Sequence, residues 1–309
     1  MKRKKHRTAK SADSNRTVTA ILIWIGVAVL AAVLTLILGN TLGNKASKYQ
    51  ESGIDNEFLY EYTADDIPPI NATPFIIEGK NNFSLDASVK AVEKDSQVSI
   101  YVKRGDSIPF YSSEVYKAVY GVSGGVDIAA LTTKLHEENI YVSVCFDSIS
   151  HLESNPFAKD AKRSIEAAMI GELFEANVDE VVIIGLPVDN DGISNSAKLF
   201  YEIRQKKPDA VIGAGIDYRD LLSSNGAYAL KRYSEFADFC AVDSSECKTF
   251  GESTKSIAKK LLYSFKEYPL RMLIGITGES DRISQSDTLK SLGIINIQAY
   301  KYVESVALG

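Results

Sequence analysis

Acidic side chains recur just after apolar runs along the chain, and carboxylates placed that way can act as general acids, bases or nucleophiles. Asp147 follows IYVSVCF, Asp189 and Asp191 follow EVVIIGL, Asp217 follows AVIGAGI, and Asp243 follows FADFCAV. Glu246, Glu279 and Asp281 continue the series, Lys103 follows QVSIYV, Tyr218 adjoins Asp217, and Gln298 lies in IINIQA. Paired carboxylates suit glycosidic bond cleavage, where one protonates the leaving oxygen and the other serves as nucleophile or base. We take Asp147, Asp217 and Asp243 as candidate catalytic residues. Lys103, Asp189, Asp191, Tyr218, Glu246 and Gln298 are candidate ligand-binding residues. Each aspartate also has a structural alternative, because Asp caps helices and closes turns.

Other chemistries find little footing. No Ser–His or Cys–His pair is evident. Only His136 and His151 lie beyond the N-terminal tail, and with Cys145, Cys240 and Cys247 they show no metal-ligand spacing. No metal and no cofactor is expected. Cys145 and Cys240 sit in apolar runs and read as small buried hydrophobes. Cys247 falls in a loop pattern, and nothing in the sequence supports a Cys240–Cys247 bridge.

The elements that must position these residues repeat regularly from residue 74. Short runs rich in β-branched residues cover 74–78, 97–102, 140–146, 180–186, 210–216, 236–242, 270–276 and 294–299. They are continuously apolar rather than alternating, as strands buried on both faces of a parallel sheet are. Helical spacing links Ile128, Leu131 and Leu135, then Ile165, Met169 and Leu173, then Ile257, Leu261 and Phe265. Weaker helical patterns cover 194–207 and 218–234. Eight strands with helices between them predict a (β/α)8 TIM-type barrel, in which loops after the strands carry the working residues. No glycine-rich phosphate turn follows the first strand, which disfavours an open dinucleotide-binding sheet. The chain ends soon after the eighth run, so the last helix is expected to be stunted or missing.

Ahead of the barrel, no Asp, Glu, Lys or Arg occurs between Arg16 and Lys45. Residues 18–38 are almost unbroken apolar sequence, about the length that crosses a bilayer as a helix. Lys2, Arg3, Lys4, Lys5, Arg7, Lys10 and Arg16 precede it, which fixes that end in the cytoplasm. A cleaved signal peptide is the alternative, but its apolar core is shorter and ends at a small-x-small site that this segment lacks. The expected organisation is a basic cytoplasmic tail at 1–17, a single transmembrane helix at 18–39, a polar stalk at 40–72 and an extracytoplasmic barrel at 73–309. Of the 35 Lys and Arg, seven lie in residues 1–17, together with one of the 40 Asp and Glu. The remaining 28 basic and 39 acidic residues give the exported part a net charge of −11. That balance argues against nucleic acid as a partner and leaves the basic tail as an orientation signal.

The segment 126–148, VDIAALTTKLHEENIYVSVCFDS, resembles bacterial glycoside-hydrolase barrels related in fold to amylases and chitinases. In these, a helix reading roughly LHEKGIYV leads into strand three. QVSIYVKRGDSIPFYSSEV resembles their second strand and its loop, and EANVDEVVIIGLP their fourth strand. The resemblance implies a barrel that acts on or binds polysaccharide. Those families carry a carboxylate near the end of strand four, where this chain has Ile184 or Gly185. Neither side chain can accept a proton or attack a sugar carbon. The acidic Asp179 and Glu180 stand at the start of that strand, the wrong end for catalysis. Two readings stay open: a catalytically degenerate barrel that binds a cell-surface glycan or partner protein, and an active glycosidase with carboxylates relocated to Asp147, Asp217 and Asp243.

Overall fold

The computed structural model describes residues 75–77, 84–92, 96–265 and 270–303. The expected tail, membrane span and stalk lie outside them, as does the segment beyond Val303. Among the described residues no helix is long and apolar enough to cross a membrane.

Eight parallel strands form one sheet in sequential order: β1 (Phe75–Ile77), β2 (Gln97–Lys103), β3 (Tyr141–Asp147), β4 (Glu180–Ile184), β5 (Val211–Asp217), β6 (Phe239–Asp243), β7 (Leu270–Ile276) and β8 (Ile297–Tyr302). β1 and β8 lie side by side, with no ladder joining them among the described residues. The result is a nearly closed (β/α)8 barrel, as the eight apolar runs predict. Several strands extend a residue beyond the expected end, so Lys103, Asp147, Asp217 and Asp243 are terminal strand residues rather than loop residues.

Helices cover the outside. They are α1 (Leu85–Lys90), α2 (Glu114–Tyr120), α3 (Ile128–Glu137), α4 (Pro156–Glu175), α5 (Asn190–Lys206), α6 (Tyr218–Leu221), α7 (Gly226–Tyr233), α8 (Thr254–Phe265) and α9 (Glu279–Ser291). Their starts follow from local chemistry. Ser113, Asp127, Asn155 and Asp189 each accept a backbone N–H of the first turn, and Pro156 opens α4 where no N–H is needed. The weak pattern at 218–234 resolves into two short helices, α6 and α7.

The core has two layers. Residues such as Val144, Ile183, Leu173 and Phe200 pack strands against helices. Inside the cylinder, Cys145, Val182, Ile184, Phe239, Ala241, Leu273 and Tyr300 form a second cluster. Gly213 makes room for the Phe239 ring, since a Cβ there would meet the ring at 2.3 Å. All three cysteines are free and buried.

A polar layer crosses the interior below that cluster. Arg271 and Glu180 are ion-paired and nearly inaccessible, and the guanidinium lies 3.9 Å from the centre of the Phe239 ring. Arg271 Nη1 also donates to Gln298 Oε1 at 3.0 Å, and Gln298 Nε2 donates to the hydroxyls of Ser99 and Ser143 at 3.0 and 2.9 Å. Side chains from β2, β3, β4, β7 and β8 are thereby tied together across the barrel.

Candidate functional site at the barrel mouth

The C-terminal end of the strands brings two of the three candidate catalytic aspartates into one cluster. Asp147 ends β3 and Asp243 ends β6. Tyr101 of β2 donates its hydroxyl to Asp147 at 3.4 Å, and Tyr300 of β8 donates to Asp243 at 2.8 Å. The two phenol rings meet edge to face, 5.3 Å between centres. Each carboxylate has a further internal donor. The Gly105 N–H donates to Asp147 at 2.8 Å, latching the loop after β2 onto β3. The Ser245 N–H donates to Asp243 at 2.9 Å, and the Ser245 hydroxyl meets the Tyr300 hydroxyl at 3.0 Å.

Burial is the main influence on Asp147 and raises its pKa above 3.8, with the negative charge of Asp243 adding to it. The Gly105 N–H and the Lys103 ammonium oppose that rise without cancelling it. Tyr101 is pushed far above an ordinary phenol by burial and by both aspartates, so it is a hydrogen-bond donor throughout the accessible pH range.

The strand-four position is now defined in space. Ile184 is 2 % exposed and packs in the interior cluster, facing the same cylinder as Asp147, its register partner on β3. Gly185 has φ +74°, and a Cβ on it would stand 2.6 Å from Asp147 Oδ1. A side chain at 185 and the present seat of Asp147 exclude each other.

The remaining candidates occupy different places. Asp217 is the register partner of Asp243, but its carboxylate caps α6 through the Arg219 N–H and pairs with the Arg219 guanidinium at 2.9 Å. Arg219 in turn lies 4.0 Å from the ring centre of Phe250, a rim residue that is 51 % exposed. Tyr218 is buried beside this pair, its pKa pushed up to about 12 by burial and by Glu252. Glu246 pairs with Lys301 at 2.6 Å, which holds its pKa below the usual glutamate value. Asp189 caps α5 and Asp191 lies exposed in its first turn. Gln298 is fully buried in the polar layer, with both ends of its amide bonded. Lys103 lies beside the Phe146 ring and donates to the Gly105 carbonyl.

Sequence reasoning missed Tyr101 and Tyr300, which share the inward parity of Ser99 and Gln298 on their strands. It also missed Glu166, 2 % exposed on α4, which accepts from the Ser148 hydroxyl at 2.8 Å and from the N–H groups of Ile149 and Ser150 at 2.8 and 3.1 Å. Its signal was available: an acid in helical register with Met169, Ile170 and Leu173 stands on an apolar face. Among the described residues no cluster of His, Cys, Asp and Glu could hold a metal ion.

No protein-family model matches this chain, and no curated protein matches it. Solved structures similar to it include L-ribulose 3-epimerase, at 13 % identity over 75 % of this chain and 82 % of that one, with a TM-score of 0.49. A D-allulose 3-epimerase from Methylomonas sp. is 14 % identical over 76 % and 85 %, with a TM-score of 0.46. The GH10 xylanase of Thermobacillus composti is 12 % identical over 79 % and 86 %, also at 0.46. These neighbours are barrel enzymes that handle sugars. Likeness at this level is one of chain path and assigns no residue a role.

Proposed function

We propose that this chain is a membrane-anchored, extracytoplasmic barrel whose C-terminal mouth binds a cell-surface glycan without hydrolysing it. The observation that carries this reading is the state of the mouth carboxylates. Asp147 holds the β2 loop through Gly105, Asp243 holds Tyr300 and Ser245, and β4 offers Ile184 where the resembled barrels have an acid. Carboxylates that fasten loops and neighbouring hydroxyls are poorly placed to move through a proton-transfer cycle. The exposed Phe250 ring beside Arg219 supplies a flat apolar face of the kind on which sugar rings stack. The acidic ectodomain favours a neutral polysaccharide over an anionic wall polymer.

One observation favours the alternative of an active glycosidase. Burial raises the pKa of Asp147, as a general acid requires, with a second carboxylate at Asp243 close enough to add to the shift. The two readings separate in one experiment. The full-length protein is incubated with wall fragments and with α- and β-linked glucan and chitin oligomers, following new reducing ends and binding together. Binding without turnover, weakened by Phe250→Ala or Asp243→Asn, is the expected result. Turnover abolished by Asp147→Asn or Asp243→Asn establishes the glycosidase, and absence of both binding and turnover overturns both readings. The anchor is tested by reporter fusion after Gly309, which should be active only outside the cytoplasm. A released protein with a new N-terminus near residue 45 would mean cleavage.

A further inference from the structure

A cavity of about 430 Å³ lies outside the strand cylinder, between α2, the start of the β3–α4 link and α4. That volume is in the range of small-molecule sites. Tyr116, Ile149, Ile165 and Met169 give it apolar walls, and two buried ionisable residues, Lys103 and Glu166, also line it. The irregularity in β2 between Tyr101 and Lys103 places Lys103 opposite Phe146, a residue of the outer core layer. Lys103 is 5 % exposed, and its ammonium donates to the Gly105 carbonyl; its other N–H groups have no acceptor among the described residues.

We propose that Lys103 is a nucleophilic amine that forms an imine with a small, largely apolar aldehyde or ketone held in this cavity. The site goes beyond the glycan-binding mouth and does not depend on it. The charges around Lys103 argue for a neutral carbonyl compound over an anion. Glu166 acts most strongly on it, followed by Asp147 and Asp106, while Lys162 is the opposing cation and is itself paired with Asp106 and Glu153 at 3.1 Å each. Burial lowers the pKa of Lys103, which favours the free amine that a nucleophile needs. Burial also raises that of Glu166, so that this carboxyl can carry protons at higher pH than an exposed glutamate.

The step balances without an oxidant or reductant. The Lys103 nitrogen lone pair adds to the carbonyl carbon, and the carbonyl oxygen takes up a proton as the nitrogen loses one, giving a carbinolamine. The hydroxyl then takes a second proton and leaves as water while the C=N bond forms. The nitrogen's remaining proton either stays, giving a cationic imine opposite Glu166, or returns to it.

Benzaldehyde is the probe, with sodium cyanoborohydride at pH 7 to reduce any imine to a stable benzylamine. The full-length protein is sampled over time and the labelled lysines are mapped by peptide mass spectrometry. Lys103 should be labelled faster than the exposed Lys117 and Lys260, since burial leaves more of it as the free amine at the same pH. Ile165→Trp, which fills the cavity, should slow labelling of Lys103 while leaving Lys117 and Lys260 unchanged. Glu166→Gln removes the charge that most raises the pKa of Lys103 and also the proton donor for dehydration, so the pH profile of Lys103 labelling should shift downward and its maximum should fall. Labelling of Lys103 no faster than of the exposed lysines would overturn the proposal, and so would fast labelling indifferent to Ile165→Trp. Benzaldehyde that binds but leaves no reduced adduct on Lys103 rules out the covalent step.

Discussion

Glu180→Gln tests how the barrel interior is held, with a cost that follows from the contacts. Glu180 is fully buried and accepts from Ser143 at 2.6 Å, from Tyr141 at 3.3 Å and from two nitrogens of Arg271, one of them at 3.2 Å. An amide at 180 removes the countercharge and turns a donor toward part of that set. Arg271 then keeps its stacking on Phe239 and its bond to Gln298 but is a buried cation without a partner. Removing one member of a buried pair costs about 3–5 kcal/mol. That is a large part of the roughly 5–15 kcal/mol that stabilises a domain. In a protein of this size each kcal/mol shifts the melting temperature by about 2–4 °C, so the expected fall is roughly 6–20 °C. Thermal unfolding followed by circular dichroism at pH 7 measures it.

The double variant Glu180→Leu with Arg271→Met sharpens the test. Replacing both members of a buried pair by apolar residues is often close to neutral. The double variant should therefore melt above each of its single variants, Glu180→Leu and Arg271→Met, giving a coupling energy well beyond the roughly 0.3–0.5 kcal/mol of independent sites. A Glu180→Gln shift under about 2 °C, or single losses that simply add in the double variant, would refute the claim that this pair is the internal tie of the barrel.

Two further outcomes concern the mouth. Gly185→Ala puts a Cβ in a left-handed backbone and 2.6 Å from Asp147 Oδ1; it should cost at least the roughly 1–2 kcal/mol of the backbone term, read by urea denaturation, and should release the Gly105 latch, read as faster amide exchange at Gly105. Asp147→Asn tests the raised pKa: the folded state binds protons more tightly than the unfolded one, so wild-type stability declines as pH rises from about 3.8 through the folded value. The variant escapes that decline, and its stability relative to wild type should climb across that window, at no more than about 1.4 kcal/mol per pH unit, and then level; a difference independent of pH in urea titrations would refute the raised pKa.

The barrel was legible because its strands are buried on both faces, which removes alternation and leaves continuous Val- and Ile-rich runs such as EVVII and YVSVCF. Strand ends were less so. The sequence placed Asp147, Asp217 and Asp243 after their strands because a charge looks like the end of an apolar run, yet each still takes part in the parallel ladder. Capping was foreseen as the structural alternative for Asp189 and Asp217, and both do cap helices. The interior polar layer was not legible at all. Glu180 looked like a strand-start acid and Gln298 like a mouth residue, while Arg271 lay unremarked inside the apolar run 270–276. Only the closing of β4, β7 and β8 into one cylinder brings the three together.

That closure also explains how Ile184 and Gly185 act on the mouth. The inward position at the end of β4 carries an apolar side chain that continues the Cys145, Val182 and Tyr300 cluster upward. The next residue is bare and turns through positive φ, so Asp147 settles against it and there receives the Gly105 N–H. A carboxylate at 184 would stand in the cluster that now seals the cylinder, and one at 185 would evict Asp147. The loop latch and a strand-four acid are therefore alternative solutions for the same space, and this chain has taken the first. The Gly105 N–H and the Tyr101 hydroxyl both reach Asp147 through Oδ2, so the latch holds this carboxylate as part of a preorganised rim.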